Sequence, residues 1–303
     1  MNSSQKAIII GSGVAGLASA IRLAAQGFAV TVFEKNSYPG GKLTAFELGG
    51  YRFDSGPSLF TQPLNIEEIF AMANEPIEEY FRYQKVPISC NYFYEDGTCI
   101  HAFADRELFE NELIEKTGEK KGSLFSYLRK SENLYNRIGK IFLNFSLHKP
   151  HTLWNAPIIK ALRAVRMPYL FNTLHEVNRS HFSNDKTIQL FNRYATYNGS
   201  NPYKAPGMLS LIPHLEQNEG VFYPNGGMIS ITDALYKLAC KKGVIFQFNH
   251  PVESILQEKK NVRGVLVNGV LHYSDIVVSN MDIYFTYHTL LKNPIESKKI
   301  LKQ

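Results

Sequence analysis

Cysteine is scarce in this chain. There are three in 303 residues, Cys90, Cys99 and Cys240, with no CxxC pair. An odd total without paired spacing argues against a disulfide framework or a zinc site and for a reducing compartment. All three read as small buried or half-buried side chains. Long apolar runs are missing too: the longest candidates, such as 205–215, fall well short of the roughly 20 residues that span a bilayer and contain Pro and Gly. The polar stretch Met1–Lys6 leads straight into an apolar run, so no signal peptide is expected there. A membrane, if met at all, is met from one side. What is present is globular: 44% hydrophobic, 13% aromatic and 20% charged residues, enough for one large or two ordinary domains. The net charge of +6 suits an anionic partner such as a phosphate-bearing cofactor, a nucleic acid or a lipid surface.

The first forty residues carry the sharpest pattern. Residues 7–10 form an apolar run fit for a strand buried on both faces, and Gly11-Ser12-Gly13-Val14-Ala15-Gly16 follows at once. A helix pattern runs from Val14 to about Gln26, with Gly27 placed to end it. A second strand pattern (29–33) ends at Glu34. In a βαβ unit of this kind Gly11 permits the tight turn, Gly13 lets backbone approach a pyrophosphate, and Gly16 lets the helix pack on the sheet. The helix N-terminus offers free N–H groups to an anion. Glu34 is placed to accept from both hydroxyls of an adenosine ribose, and an acid there rejects a 2′-phosphate, against NADP. The unit therefore predicts a bound dinucleotide.

Next come Gly40-Gly41-Lys42 and then Gly50-Tyr51-Arg52-Phe53-Asp54-Ser55-Gly56-Pro57. This arrangement resembles the second signature of FAD-containing amine oxidases and carotenoid desaturases. The resemblance implies that Lys42 reaches the cofactor phosphates, that the Asp54–Pro57 turn passes near the flavin, and that the cofactor is FAD.

Further along, 88–93 and 99–103 are β-prone runs around Asp96-Gly97, a hairpin signal. No acid occurs between Glu132 and Glu176, while Arg137, Lys140, Lys149, Lys160, Arg163 and Arg166 stand among apolar residues. The segment 158–166 alternates apolar and basic positions at near-helical spacing, which suits docking on an anionic membrane surface or a basic solvent face over a helical core. No nucleic-acid motif accompanies the charge. After a helix pattern at 231–239, the runs 244–248, 252–256, 262–267 and 276–279 read as strands, the later ones as a meander returning to the dinucleotide unit.

The longest motifs are "RYATYNGSNPYKAP" (193–206), "YPNGGM" (223–228) and "VVSNMD" (277–282). With the glycine units they make the chain, from about 7 to 291, similar to the bacterial phytoene desaturase family of FAD-dependent carotenoid desaturases. "GGKLT" (40–44) and "GPSLFT" (56–61) lean towards the branch of hydroxycarotenoid 3,4-desaturases. The resemblance implies an α/β fold: a Rossmann-like FAD-binding domain of the glutathione-reductase/amine-oxidase type, an inserted α+β substrate domain and a helical membrane-associating region. Residues 1–65 would hold the βαβ and flavin-proximal turns, 66–240 the substrate and membrane-docking region, and 241–303 the return to the FAD domain. Implied cofactor contacts are Gly11, Gly13, Ala15, Gly16, Glu34, Gly40, Gly41, Lys42, Ser58, Leu59, Val252 (backbone, at the adenine) and Asn280. The family ends in a second flavin segment that nothing here matches, which implies a member shortened at its C-terminal end.

Desaturation removes a hydride and a proton from adjacent carbons of an acyclic polyene, and no side chain accepts a hydride whereas oxidised flavin does. The resulting allylic cation loses its proton easily, so no catalytic residue is named. Phe191, Tyr194, Tyr197 and Tyr203 could stabilise a cation or belong to a core. His214 and Arg193 are the ionisable groups to test first. The implied setting is cytoplasmic, peripheral at the inner membrane, with an acyclic carotenoid substrate. Competing readings are a related polyene isomerase or saturase, and a flavin-free prenyl-lipid-binding module on the same fold.

Overall fold

The computed structural model describes residues 4–139, 167–259 and 261–293. The basic stretch 158–166 lies outside them. The chain divides into two compact units, one of 1–84 with 223–303 and one of 85–222.

The first unit opens with the expected βαβ: β1 (Lys6–Ile10), α1 (Val14–Ala25) and β2 (Ala29–Phe33). It continues with β3 (Thr44–Leu48), β4 (Tyr51–Ser55) and α2 (Leu64–Met72). After the second unit come α3 (Ile229–Lys241), β5 (Ile245–Gln247), β6 (Val252–Glu258), β7 (Asn261–Val267), β8 (Val270–Tyr273) and β9 (Ile276–Ser279). Four strands make a parallel sheet in the order β9-β1-β2-β5. β1 is central, and Ala7 to Ile10 are all buried, which is why that strand is continuously apolar rather than alternating.

α1 buries Gly16, Leu17, Ala20 and Ile21 as one stripe. α2 and α3 both pack on α1, so 66–84 and 223–240 belong to this unit by contact, where the sequence expectation drew its boundaries at 65 and 240. Glu75 reinforces the arrangement, accepting from Lys241 (2.6 Å) and Lys242 (2.8 Å). β6, β7 and β8 form an antiparallel meander: its first two strands match the runs expected at 252–256 and 262–267, its third was not anticipated, and the run 276–279 joins the parallel sheet as β9. The β3–β4 hairpin was not anticipated. Its two-residue loop is Gly49-Gly50, with φ of 60° and 81°, the left-handed pair that a tight hairpin turn requires.

The second unit holds the expected hairpin, Ile88–Phe93 paired with Cys99–Phe103, closed at Asp96-Gly97. The Asp96 Oδ1 accepts from the Thr98 N–H, as an Asx turn does. Ile100 and Ala102 face an aromatic core built on helices Arg106–Thr117, Ser123–Leu134 and Asp185–Asn192. Phe109, Tyr127, Phe182, Phe191 and Tyr194 fill it, with Phe182 and Phe191 stacked at 4.5 Å between ring centres.

Candidate functional site

The C-terminal ends of the parallel strands open onto a cleft of about 890 Å³ in the first unit, the place where open α/β sheets take ligands. Its floor is the glycine turn. Val14 and Ala15 are the first two residues of α1, so their N–H groups have no acceptor within the helix. Their neighbours are satisfied from a distance. With the Asn280 amide oriented to fit the network, its Oδ1 accepts from the N–H of Gly16 (3.2 Å) and of Gly13 (3.3 Å). The Asn280 backbone N–H in turn donates to the Ile10 carbonyl (2.9 Å). Val14 and Ala15 are thus left as the donors presented to an anion, backed by the positive end of the helix dipole.

A second turn docks on the first. The Gly40 N–H donates to the Ser12 carbonyl (2.8 Å), and Gly13 and Gly40 form a parallel bridge. Gly41 and Lys42 thereby become part of the cleft wall. Gly16 is needed for a different reason: a Cβ there would lie 2.1 Å from the Gly11 carbonyl oxygen, so only glycine lets α1 sit this close to the turn.

Glu34 is buried at 4% exposure and lines the cleft. Its Oε2 accepts from the N–H (2.7 Å) and hydroxyl (2.8 Å) of Ser12, and its Oε1 from the Asn36 N–H (2.9 Å). A carboxylate offers about four acceptor positions, so one remains, on Oε1. An added phosphate at this position would meet a buried carboxylate. Past β2, the His250 N–H donates to the Glu34 carbonyl (2.9 Å) and the Asn249 N–H to that of Asn36 (3.0 Å). These bonds carry Pro251 and Val252 into the apolar part of the wall, beside Phe33 and Leu290. The donor set fits a dinucleotide: free N–H groups for a diphosphate, an acceptor for a sugar hydroxyl, and an apolar slot with backbone for a base.

Of the residues singled out by sequence, Gly11, Gly13, Ala15, Glu34, Gly40, Gly41, Lys42, Val252 and Asn280 line this cleft. Gly16 lies behind it as a packing residue. Ser58, exposed, and Leu59, half-buried, are not in its wall, whereas Pro57 and Phe60 on either side are.

Asp54 is a contact sequence reasoning missed. Its Oδ2 accepts from the Met228 N–H (2.9 Å) and the Tyr223 hydroxyl (3.2 Å), and its Oδ1 from Arg52 (2.9 Å). Burial raises the Asp54 carboxyl; the Met228 N–H, Arg52 and Tyr223 outweigh it and hold the group below its ordinary value. A Cβ on Gly227 would strike Arg52 at 2.1 Å and both Asp54 oxygens at 2.8 Å. The paired glycines of "YPNGGM" and the acid of "FDSGP" were both visible; that they explain each other was not. The join also leads into α3, whose Thr232 donates to the Leu43 carbonyl (3.0 Å) and whose Ile231 lines the cleft.

The second unit brings together another part of the long motif. Arg193 pairs with the buried Glu216 at 2.5 Å and donates to the Tyr92 hydroxyl (2.7 Å), its guanidinium 4.7 Å from the Tyr194 ring centre. The Tyr197 hydroxyl donates to the other Glu216 oxygen (2.5 Å), and burial together with that carboxylate pushes the phenol above its ordinary range. Arg193 is therefore engaged in a buried ion pair. Phe191 and Tyr194 are fully buried core, and Tyr203 is exposed against His175 (4.5 Å between rings). His214 is buried 4.7 Å from the Tyr135 ring, and burial lowers its imidazole below the ordinary value against the pull of Glu219. Among the described residues, no group of three His, Cys, Asp or Glu is placed to hold a metal ion, and no helix is long and apolar enough to cross a membrane.

A profile of the family described as flavin containing amine oxidoreductase matches residues 14–299. The chain belongs to this family. It is 48% identical over 299 residues to a 1-hydroxycarotenoid 3,4-desaturase of Flavobacterium sp. (strain P99-3), covering 99% of this chain and 61% of that protein. It is 32% identical over 305 residues to a 4,4′-diapolycopene oxygenase of Methylomonas sp., covering 100% of this chain and again 61% of the relative. The chain thus spans about three fifths of the length of these curated relatives. In fold it resembles an oxidoreductase from Methanosarcina mazei, with a TM-score of 0.65 at 18% identity over 98% of this chain and 63% of that one. This likeness supports the α/β fold that the family resemblance implied.

Proposed function

We propose that this chain is the dinucleotide-binding and substrate-domain part of an FAD-dependent carotenoid desaturase, acting on hydroxylated acyclic carotenoids at the 3,4 position. The observation that supports it most is the 48% identity, along nearly the whole chain, to a protein of that name. The cleft supplies the matching chemistry. The N–H groups of Val14 and Ala15 hold the diphosphate, Glu34 a ribose hydroxyl and the Val252 backbone the adenine. Asn280 fixes the glycine turn, and Gly40, Gly41 and Lys42 bring a cation to the phosphates. Ser58 and Leu59 are assigned to the flavin side. FAD, when bound, supplies the acceptor for the electron pair that no side chain can take.

The chain's own contribution is placement and exclusion of water. An allylic cation gives up its proton readily, so the site needs an apolar, shaped channel more than a strong base. The substrate lives in a bilayer, and the acid-free segment 133–175 suits docking on the anionic cytoplasmic face of the inner membrane. Expression in a host that makes acyclic carotenoids, alone and completed to the relative's length, tests the reading. The expected product has a longer conjugated system and red-shifted absorption. If neither phytoene-type nor hydroxylated substrates are lengthened, the reading fails. A changed isomer of equal conjugation would favour a polyene isomerase, and a flavin-free protein that retains prenyl lipid would favour a binding module.

A further inference from the structure

One cluster of reactive side chains lies in the second unit, apart from the cofactor cleft. Cys99 and His101 are two positions apart on the strand Cys99–Phe103, so they share a face, while Ile100 and Ala102 point into the core. Glu112 reaches them from the helix Arg106–Thr117, whose start is fixed by Asp105, accepting from the N–H groups of Glu107 and Leu108.

The Glu112 Oε1 accepts two bonds from one residue, the His101 backbone N–H (3.1 Å) and the ring Nδ1–H (2.9 Å). This grip fixes both the plane and the tautomer of the imidazole. Burial raises the Glu112 carboxyl, but the two His101 bonds and the nearby Lys116 outweigh it and hold the group in the carboxylate form. With Nδ1 donating to a carboxylate, Nε2 carries the lone pair, and it lies 3.8 Å from the Cys99 Sγ. A thiol, an imidazole and a carboxylate thus stand in the order that activates a nucleophile.

Access fits as well. The His101 side chain is 39% exposed, and Phe93, directly across the hairpin from Cys99, is 80% exposed and offers apolar surface to a reagent's tail. The other two thiols are differently placed. Cys90 Sγ lies 3.7 Å from the Asn91 carbonyl, and the exposed Cys240 interacts with Tyr236.

We propose that Cys99, His101 and Glu112 form a nucleophilic thiol site that adds to soft carbon electrophiles of the α,β-unsaturated carbonyl class. As Sγ bonds to the β-carbon, the thiol proton passes to His101 Nε2. The carbon–carbon π pair moves onto the α-carbon and carbonyl as an enolate, and the α-carbon then takes the proton back from Nε2. The net change is addition of S–H across the double bond, with no oxidant or reductant. Glu112 stabilises the transient imidazolium and is a positioning residue. The site uses the second unit alone and is independent of the cofactor reading.

N-ethylmaleimide, itself an α,β-unsaturated carbonyl, is the probe, with labelling of each cysteine followed over time by mass spectrometry on the full chain. In the unaltered protein Cys99 should react about tenfold faster than the more exposed Cys240. Equal or faster labelling of Cys240 overturns the proposal, and that comparison needs no variant. In a folded His101→Gly protein Cys99 should slow to the rate of Cys240, and added imidazole should restore its speed. A rate unchanged by the substitution, or unrestored by imidazole, contradicts the base role. Glu112→Gln, which keeps an acceptor and loses the charge, should slow Cys99 about threefold.

Discussion

The two units of this protein place their polar chemistry in opposite ways. In the first, the working groups of the cleft are mostly backbone, N–H donors at the head of α1 and two glycine turns docked on each other, with one carboxylate side chain held by Ser12 and Asn36. In the second, side chains bond to side chains in and around an aromatic core, as in Arg193–Glu216–Tyr197 at its margin and Tyr127–Asn178–Asn192 within it. Backbone sites follow from glycine spacing, because glycine is what close backbone approach demands. Side-chain networks depend on partners far apart in sequence, and no spacing announces them.

The contrast can be broken at its strongest point first. Glu216→Leu leaves Arg193 buried beside Tyr92 and Tyr194 without its counter-charge, so unfolding in urea should show a loss of about 3–5 kcal/mol. The double change with Arg193→Met should recover most of it; if it does not, the pair is more than a satisfied charge. Gly16→Ala should cost about 3 kcal/mol in thermal unfolding, because the new methyl meets a backbone carbonyl that cannot move aside. A loss below about 1 kcal/mol would mean that α1 can shift away from the turn.

Asp54 gives a pH test. Its carboxyl is lowered in the folded state, so its contribution is full above the ordinary unfolded value and is lost as pH falls through the folded one. Asp54→Asn should therefore flatten the acid limb of the stability curve below about pH 4 and leave the slope near neutrality unchanged. Smallest, Ser12→Ala removes one of three bonds to Glu34 and should cost about 1 kcal/mol by denaturant titration.

Much of the first unit is legible in the sequence. The βαβ strands and helix, the first two strands of the meander and the cleft residues Gly11, Gly13 and Glu34 follow from apolar periodicity and glycine placement, whereas Ala15, Gly40, Gly41, Lys42, Val252 and Asn280 rest on the family resemblance. The β3–β4 hairpin, though not anticipated, carries a sequence signal as well, because Gly49-Gly50 is a two-residue turn between β-prone runs. The bond from Asp54 to the Met228 N–H was not legible: it joins positions 174 residues apart through a backbone donor that carries no identity. In the second unit the hairpin could be read from Asp96-Gly97. Glu216 looked like an unremarkable acid until folding buried it against Arg193, and Cys99 looked like a small filler until the strand put it beside His101.

The cleft's identity as a dinucleotide site can be measured directly. Titration of the purified chain with FAD, followed by quenching of flavin fluorescence, should give saturable binding that ADP displaces and NADP does not. Glu34→Ala should weaken it at least tenfold, with Glu47→Ala on the β3 strand as an unaffected control. Binding that ADP fails to displace, or that survives Glu34→Ala unchanged, would contradict the site described at the head of α1.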